Sequence, residues 1–376
     1  MSADFTGPNR ALGIEYYLGA SCYFEQFNAQ GGINHRNVSI KTYDDRYEPD
    51  PAVKNTIRLV EEDQVFALFN YVGTPTTTRI LPLLNYYQDK GIFMFTPLTG
   101  ASPVASNDLV FNLRASYDEE ISEIVEKFIK AGTTKLAVFH QLDAYGRGGW
   151  QSVRQALARY GLSIAAEATY VRGMDMADDY TSQVRILKQA DPEAVISIAS
   201  YESAAGFIRD ARDMGLDVPV ANLSFANAEK VYFLLTELEE RTGRDYTFGL
   251  VNSQVVPFYG ADAPALRDNY IACIKEFDQD LPPGINFSDY FFPGPNAVGF
   301  EGFLNAKFVA AVLRNIEGEI NRAQVYDVVS SIREDTGGVI HFSDIFFEWG
   351  DRKNVFFITL EGQDIVSLED FSGIMR

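Results

Sequence analysis

Short apolar runs recur along this chain, and each is followed by a polar loop and then by apolar residues at helical spacing. Val65–Phe69 is apolar throughout and Ala194–Ala199 nearly so, and Gly91–Phe95, Lys135–Phe139, Ile164–Tyr170, Val218–Leu223 and Gly249–Val256 read as further strands of the series. Helical spacing is read over Ile14–Asn28, Asp50–Glu62, Leu83–Asp89, Gly149–Tyr160, Tyr180–Gln189, Ala204–Met214 and Ala228–Arg241. A further helix leads from Asp118 to Lys130, and later ones are read over Pro264–Phe277, Asn296–Asn315 and Asn321–Ile332. Val38–Tyr43, Val110–Leu113, Val339–Phe342 and Val355–Leu360 read as additional strands. Strands alternating with helices of this length predict α/β architecture with parallel sheets covered by helices on both faces. In such sheets ligands bind outside the carboxyl ends of the strands. Hydroxyl and aromatic residues gather at those ends: Thr74, Thr99, Ser116, Tyr145, Tyr201 and Ser224.

The stretch Val65–Pro82 shows the pattern in most detail. Val65-Phe66-Ala67-Leu68-Phe69 is a continuous apolar run, which predicts a strand buried on both faces. It breaks at Gly73 into Thr74-Pro75-Thr76-Thr77-Thr78, and Ile80 and Leu81 begin a helical pattern. A threonine-rich first turn offers backbone N–H groups, hydroxyl donors and the positive end of a helix dipole, a place for a small anion such as a carboxylate. The plainer alternative is an ordinary threonine-capped helix. Thr96-Pro97-Leu98-Thr99-Gly100 is a second hydroxyl-rich loop at a strand end.

At 376 residues the chain exceeds what one core usually supports, so two domains are expected. Lys plus Arg total 32 against 52 Asp plus Glu, a formal charge of −20. That argues against nucleic acid and anionic membrane surfaces as partners. No apolar run is long enough to span a membrane. Cys22 and Cys273 fall in separate amphipathic helix patterns, and nothing in the sequence pairs them, so no disulfide is expected. Residues 1–10 lack the basic and apolar regions of a signal peptide, and Met1–Pro8 reads as a strand end and its loop, so upstream residues are expected.

Catalysis needs a placed acid, base, nucleophile or metal. His35, His140 and His341 lie far apart in sequence and none has a second histidine at metal-ligand spacing. No Gly-x-Ser-x-Gly elbow, Walker A sequence or Gly-x-Gly-x-x-Gly after a strand is present. Asp44-Asp45 and Asp178-Asp179 are adjacent carboxylates of the kind that loops usually solvate. No enzyme activity, cofactor or metal is expected.

Taken together, several short motifs resemble the type I periplasmic solute-binding proteins of the branched-chain amino acid class, the leucine/isoleucine/valine-binding proteins. They are Thr6-Gly7-Pro8 followed by Gly13, Asn28-Ala29-Gln30-Gly31-Gly32-Ile33, Asp44-Asp45, Pro51–Leu59 followed by Val65–Phe69, Gly73-Thr74-Pro75-Thr76-Thr77, Phe95-Thr96-Pro97, Tyr145-Gly146 and Val255-Val256-Pro257. Each is weak alone; their order and spacing over the whole chain carry the likeness. The resemblance implies two doubly wound parallel-sheet lobes joined by a hinge of three crossovers, with ligand held in the cleft. One lobe would be 1–117 plus 251–333, anchoring the ligand carboxylate, and the other 118–250 plus 334–376, acting as lid.

By the same resemblance, Thr74 occupies the ligand-binding hydroxyl position, with the Thr76 and Thr77 amides beside it. Leu98, Thr99 and Gly100 fall in the second anchoring loop, Tyr145 and Tyr201 match aromatic positions that close over the ligand, and Leu12 and Phe300 stand where its side chain is contacted. One departure bears on the ligand. The branched-chain binders place an acid after the strand that ends here at Leu223, to pair with the ligand ammonium, and this chain has Ser224-Phe225-Ala226-Asn227. Losing that carboxylate costs an α-amino acid a charge-assisted contact of roughly 1.5–3 kcal/mol. Glu202 or Asp143 is a candidate replacement; otherwise an aromatic or aliphatic carboxylate without an amine becomes the expected ligand. The implied role is extracytoplasmic delivery of a small carboxylate or amino acid to an ABC permease. The alternative is the sensor domain of a signalling receptor with fused kinase or cyclase domains. Neither reading involves nucleic acid or insertion of this chain into a membrane.

Overall fold

The computed structural model describes residues 1–257, 264–277, 281–282, 285, 290, 294–316, 318–335, 339–342, 345–348, 355–362 and 364–375. The chain forms two compact units. The first comprises 1–99, 103–114 and 259–354, the second 100–102, 115–258 and 355–376.

In the first unit, Leu68–Phe69, Met94–Phe95 and Val110–Phe111 form a three-stranded parallel sheet, and Ser2–Ala3 pairs in parallel with Tyr43–Asp44. The sheet is shorter than the sequence predicts, for identifiable reasons. The Val65–Phe69 run is not a strand buried on both faces. Its ladder begins only at Leu68, and Phe66 is 36% exposed. The Arg322 guanidinium takes the carbonyls of Val65 and Phe66, at 3.0 and 2.9 Å, so those groups do not enter a ladder. The strand predicted over Val38–Tyr43 is reduced to Tyr43–Asp44, because the Asn28 side chain binds both the N–H and the C=O of Val38 at 2.8 Å. The helix predicted from Leu83 is the latter part of one helix, Thr74–Tyr86, that runs through Pro82.

Two helices of this unit, Arg10–Ala29 and Ala297–Arg314, are apolar around most of their circumference and correspondingly buried. A methyl group at Gly19 would overlap the Gly299 carbonyl, so glycine there sets how closely the two backbones meet. Asn296 caps the second of them through the Gly299 N–H at 2.8 Å. Cys22, on the helix Arg10–Ala29, is bonded to Cys273 on the helix Pro264–Glu276, with Cα atoms 6.0 Å apart. This corrects the expectation of two separate thiols. The partners stand 251 residues apart, and only the packing of their helices brings them together.

The second unit holds a seven-stranded sheet. Its order is Asp364–Ser367, Phe356–Glu361, Leu250–Gln254, Val220–Asn222, Ala194–Ile198, Leu136–Gln141 and Ala166–Tyr170. The first two strands join antiparallel and the remaining five run parallel. Val251 pairs with Ala221, so the boundary read near Val251 falls inside a strand of this sheet. Helix Tyr117–Lys130 leads into this sheet, and helices Ala144–Ala158, Thr181–Gln189, Tyr201–Asp213 and Ala228–Thr242 connect its parallel strands. Ser116 and Glu119 form a reciprocal capping box that starts the first of these. The Phe139 ring lies stacked 4.1 Å from Phe207 and 5.0 Å from Tyr170, an aromatic core beneath one face of the sheet. Among the described residues no helix is long and apolar enough to cross a membrane.

Candidate functional site

The helix Thr74–Tyr86 of the first unit opens on Gly73, which has φ of +100° and gives the chain its turn out of the strand. The Gly73 N–H donates to the Leu98 carbonyl at 3.1 Å, and the Leu98 N–H donates to the Tyr71 carbonyl at 2.7 Å. These bonds bring the two predicted hydroxyl loops side by side, with the Thr74 and Thr99 hydroxyl oxygens 2.7 Å apart. Both residues are buried. The Thr99 carbonyl accepts from the Asn112 side chain at 3.3 Å.

The threonines of the first turn divide their roles. Thr76 donates its hydroxyl to the Val72 and Gly73 carbonyls, at 2.7 and 2.9 Å, and Thr78 donates to the Thr74 carbonyl at 2.6 Å. The Thr77 N–H donates to the Gly73 carbonyl at 3.0 Å, which takes it off the predicted carboxylate cradle. Among the described residues, the Thr74 and Thr76 amides and the Thr77 hydroxyl make no hydrogen bond. The first turn therefore presents two amides and the Thr74–Thr99 hydroxyl pair at the positive end of a 13-residue helix. Leu12 and Phe300 are fully buried in the helical layer of the same unit, and the Phe300 ring lies 5.3 Å from that of Tyr270.

In the second unit the aromatic residues form a cluster of their own. Tyr145 enters on the first turn of the helix Ala144–Ala158, and its ring centroid lies 5.3 Å from Tyr117 and 4.8 Å from Phe225. Tyr201 begins the helix Tyr201–Asp213 and is 4% exposed. Gly100 belongs to this unit; its carbonyl accepts the Tyr117 N–H at 2.7 Å, and a methyl group there would overlap the Tyr117 backbone. Ser224 opens a single 3₁₀ turn, Ser224–Ala226, and both its polar groups go to Glu120. The N–H and the hydroxyl each donate to that carboxylate at 2.9 Å, and Ser253 adds a third donor at 2.6 Å.

A profile of the family described as "Periplasmic binding protein" matches residues 1–352. The chain belongs to this family. It is 28% identical over 221 residues to an amino acid binding protein of Pseudomonas aeruginosa, covering 57% of each chain. It is 25% identical over 232 residues to the Leu/Ile/Val-binding protein of Escherichia coli, covering 59% of this chain and 61% of that one. The chain thus spans about three fifths of the length of these curated relatives. A possible leucine/isoleucine/valine-binding protein from Rhodopirellula baltica shares the fold at a TM-score of 0.84 and 24% identity, over 100% of this chain and 96% of that one.

In this periplasmic binding protein the two acids that the sequence offers as candidate ammonium partners, Asp143 and Glu202, stand in different surroundings. Asp143 caps the Tyr145 helix through the Tyr145 and Gly146 amides, accepts from Gln141 at 2.6 Å and pairs with Arg172 at 3.7 Å. Burial raises its pKa against those donors. Glu202 lies half-buried in the first turn of the Tyr201 helix. His140, at the end of its strand, is buried with Nδ1 3.2 Å from the Gln141 carbonyl, and burial lowers its pKa. Sequence reading missed Glu120. Its signal is positional: it shares the apolar stripe of Tyr117, Ile121, Ile124, Val125 and Phe128, where an acid is out of place unless it has buried donors to meet.

Proposed function

We propose that this protein is an extracytoplasmic solute-binding protein that holds a small carboxylate-bearing molecule and delivers it to an ABC importer. The observation that carries the reading is the Thr74–Thr99 hydroxyl pair beside the Thr74 and Thr76 amides. A carboxylate has two oxygens and needs several converging donors, and a helix start supplies both the donors and a favourable dipole. Thr74, Thr76 and Thr99 are the proposed anchor, with Leu98 and Gly100 shaping the second loop. Tyr145, Tyr201 and Phe225 of the second unit are the proposed lid. The first unit is the proposed anchor lobe and the second the proposed lid.

The ligand class turns on the amine. The names of the curated relatives support an amino acid. Against that, the loop at Ser224–Asn227 has no acid, and Glu120 behind it is fully buried with its oxygens occupied by Ser224 and Ser253. This supports an amine-free carboxylate. A thermal-shift screen decides it, pairing leucine with 4-methylpentanoate, valine with 3-methylbutanoate, and phenylalanine with 3-phenylpropanoate. The expected result is that the amine-free member of a pair stabilises the protein at least as much as its amino acid. The function is overturned when no carboxylate of a broad set raises the melting temperature while the protein is folded.

A further inference from the structure

The turn Asp45-Arg46-Tyr47-Glu48 is closed by the Glu48 N–H donating to the Asp45 carbonyl at 2.9 Å. Both central residues have positive φ, 55° at Arg46 and 62° at Tyr47. That is the backbone of a turn usually built with glycine or asparagine. A tyrosine in the left-handed region is strained and persists only where its surroundings fix it. Here Asp45 does so, accepting the Tyr47 N–H at 3.0 Å with one oxygen and the Ser2 hydroxyl at 2.7 Å with the other. Tyr47 itself is fully buried.

The strained turn puts the Tyr47 ring against Gly73. A methyl group on Gly73 would overlap ring carbons Cε2 and Cδ2, so the ring fills the space a side chain would take. Gly73 is the residue that ties the two hydroxyl loops together. Its N–H goes to Leu98, and its carbonyl receives the Thr77 N–H and the Thr76 hydroxyl. A glycine with φ of +100° has more alternative conformations than any other residue, and a wall against its Cα removes them.

We propose that Tyr47 is a positioning residue for the anion-binding loop, holding Gly73 so that the Thr74 and Thr76 amides and the Thr74–Thr99 hydroxyl pair are set before ligand arrives. This rests on the proposed function, and it adds a residue that touches no ligand. Its chemistry is preorganisation: ordering done in the empty protein does not have to be done on binding.

The test uses hydrogen exchange on the ligand-free protein, comparing Tyr47→Ala, Tyr47→Leu and Tyr47→Phe with the parent. Tyr47→Phe is expected to exchange as the parent does. Tyr47→Ala is expected to speed exchange of the hydrogen-bonded Thr77 and Thr78 amides by about tenfold or more, with the strand Ala194–Ile198 of the second unit unchanged. If Tyr47→Ala does not fold, Tyr47→Leu carries the same comparison with bulk retained and the flat ring lost. Equal acceleration in both segments assigns Tyr47 a general stabilising role and overturns the proposal, as does a folded variant with parental exchange at Thr77 and Thr78. Calorimetry with 4-methylpentanoate and leucine then reads affinity. Failure of both ligands to bind the parent counts against the proposed function and leaves the exchange result standing.

Discussion

Thr74 and Thr99 place their hydroxyl oxygens 2.7 Å apart, although one follows the strand Leu68–Phe69 and the other follows Met94–Phe95. The parallel pairing of Leu68 with Met94 and Phe69 with Phe95 makes this possible, because both strands deliver their loops to the same edge. When the Thr99 hydroxyl donates to Thr74, the Thr74 proton is the one a ligand oxygen can take. Thr74→Val keeps the shape and removes that relay. It is expected to weaken carboxylate binding by about 1–3 kcal/mol, and Thr74→Ser to restore most of it. Calorimetry with whichever carboxylate the screen finds checks both, and parental affinity in a folded Thr74→Val protein excludes the contact.

Glu120 and Ser224 form the corresponding fixed point in the second unit. The buried carboxylate meets the buried Ser253 hydroxyl and, at a half-buried edge, the Ser224 N–H and hydroxyl. Glu120→Ala is expected to destabilise the protein by about 1–3 kcal/mol, chiefly through the buried Ser253 hydroxyl it leaves unmet. Urea denaturation of Glu120→Ala, Ser224→Ala and the double variant measures the coupling, expected at roughly 0.5–3 kcal/mol. Additive losses would show that the two residues act independently.

The fold was legible wherever local periodicity governs. Strand–helix alternation identified the seven-stranded unit almost element by element, since inner strands such as Ala194–Ile198 are short, mainly apolar runs. It failed where a distant side chain captures backbone. Arg322 removes Val65 and Phe66 from the ladder across more than 250 residues, and no window of sequence holds that information. The site divides the same way. Thr74 and Thr99 were readable as hydroxyls at strand ends. The bonds of Thr77 to Gly73 and of Asp143 to its own helix start are local ones that any helix start there would make, whereas the pairing of Ser224 with Glu120, 104 residues away, is decided by packing. Tyr47 carried no sequence signal, because its turn lacks the glycine that announces such a backbone.

The Cys22–Cys273 bond ties the helix Arg10–Ala29 to Pro264–Glu276 and closes a loop of most of the chain. A bond of this kind fits an oxidising compartment, as the periplasmic family implies. Reduction, or Cys22→Ala with Cys273→Ala, is expected to lower stability by about 2–5 kcal/mol. Thermal melts with and without reductant, together with thiol titration of the unfolded protein, check this. An unfolding midpoint indifferent to reductant would remove the bond from the account of stability.

Asp4 and Asp45 make stability depend on pH in the direction opposite to that of a salt-bridged carboxylate. Both are fully buried, and burial is the main reason their pKa values rise, to about 7 for Asp4 and about 8 for Asp45. Backbone donors from Gly7, Asn9 and Tyr47 and the Ser2 hydroxyl pull them down, while the charge of Asp44 raises both and that of Asp4 raises Asp45. In the unfolded chain each titrates near the ordinary value of about 3.9. The native state therefore binds protons that the unfolded state has already released. Their contribution is complete below about pH 4 and is lost as pH rises through 7 to 8. Urea denaturation is expected to show the protein more stable at pH 5.5 than at about pH 9. Asp45→Asn keeps an oxygen for the Tyr47 N–H and carries no titrating proton, so it should flatten that slope. A parent whose stability is level or rises over this range, or a variant with the parental slope, would show that these carboxylates are already ionised in the folded protein.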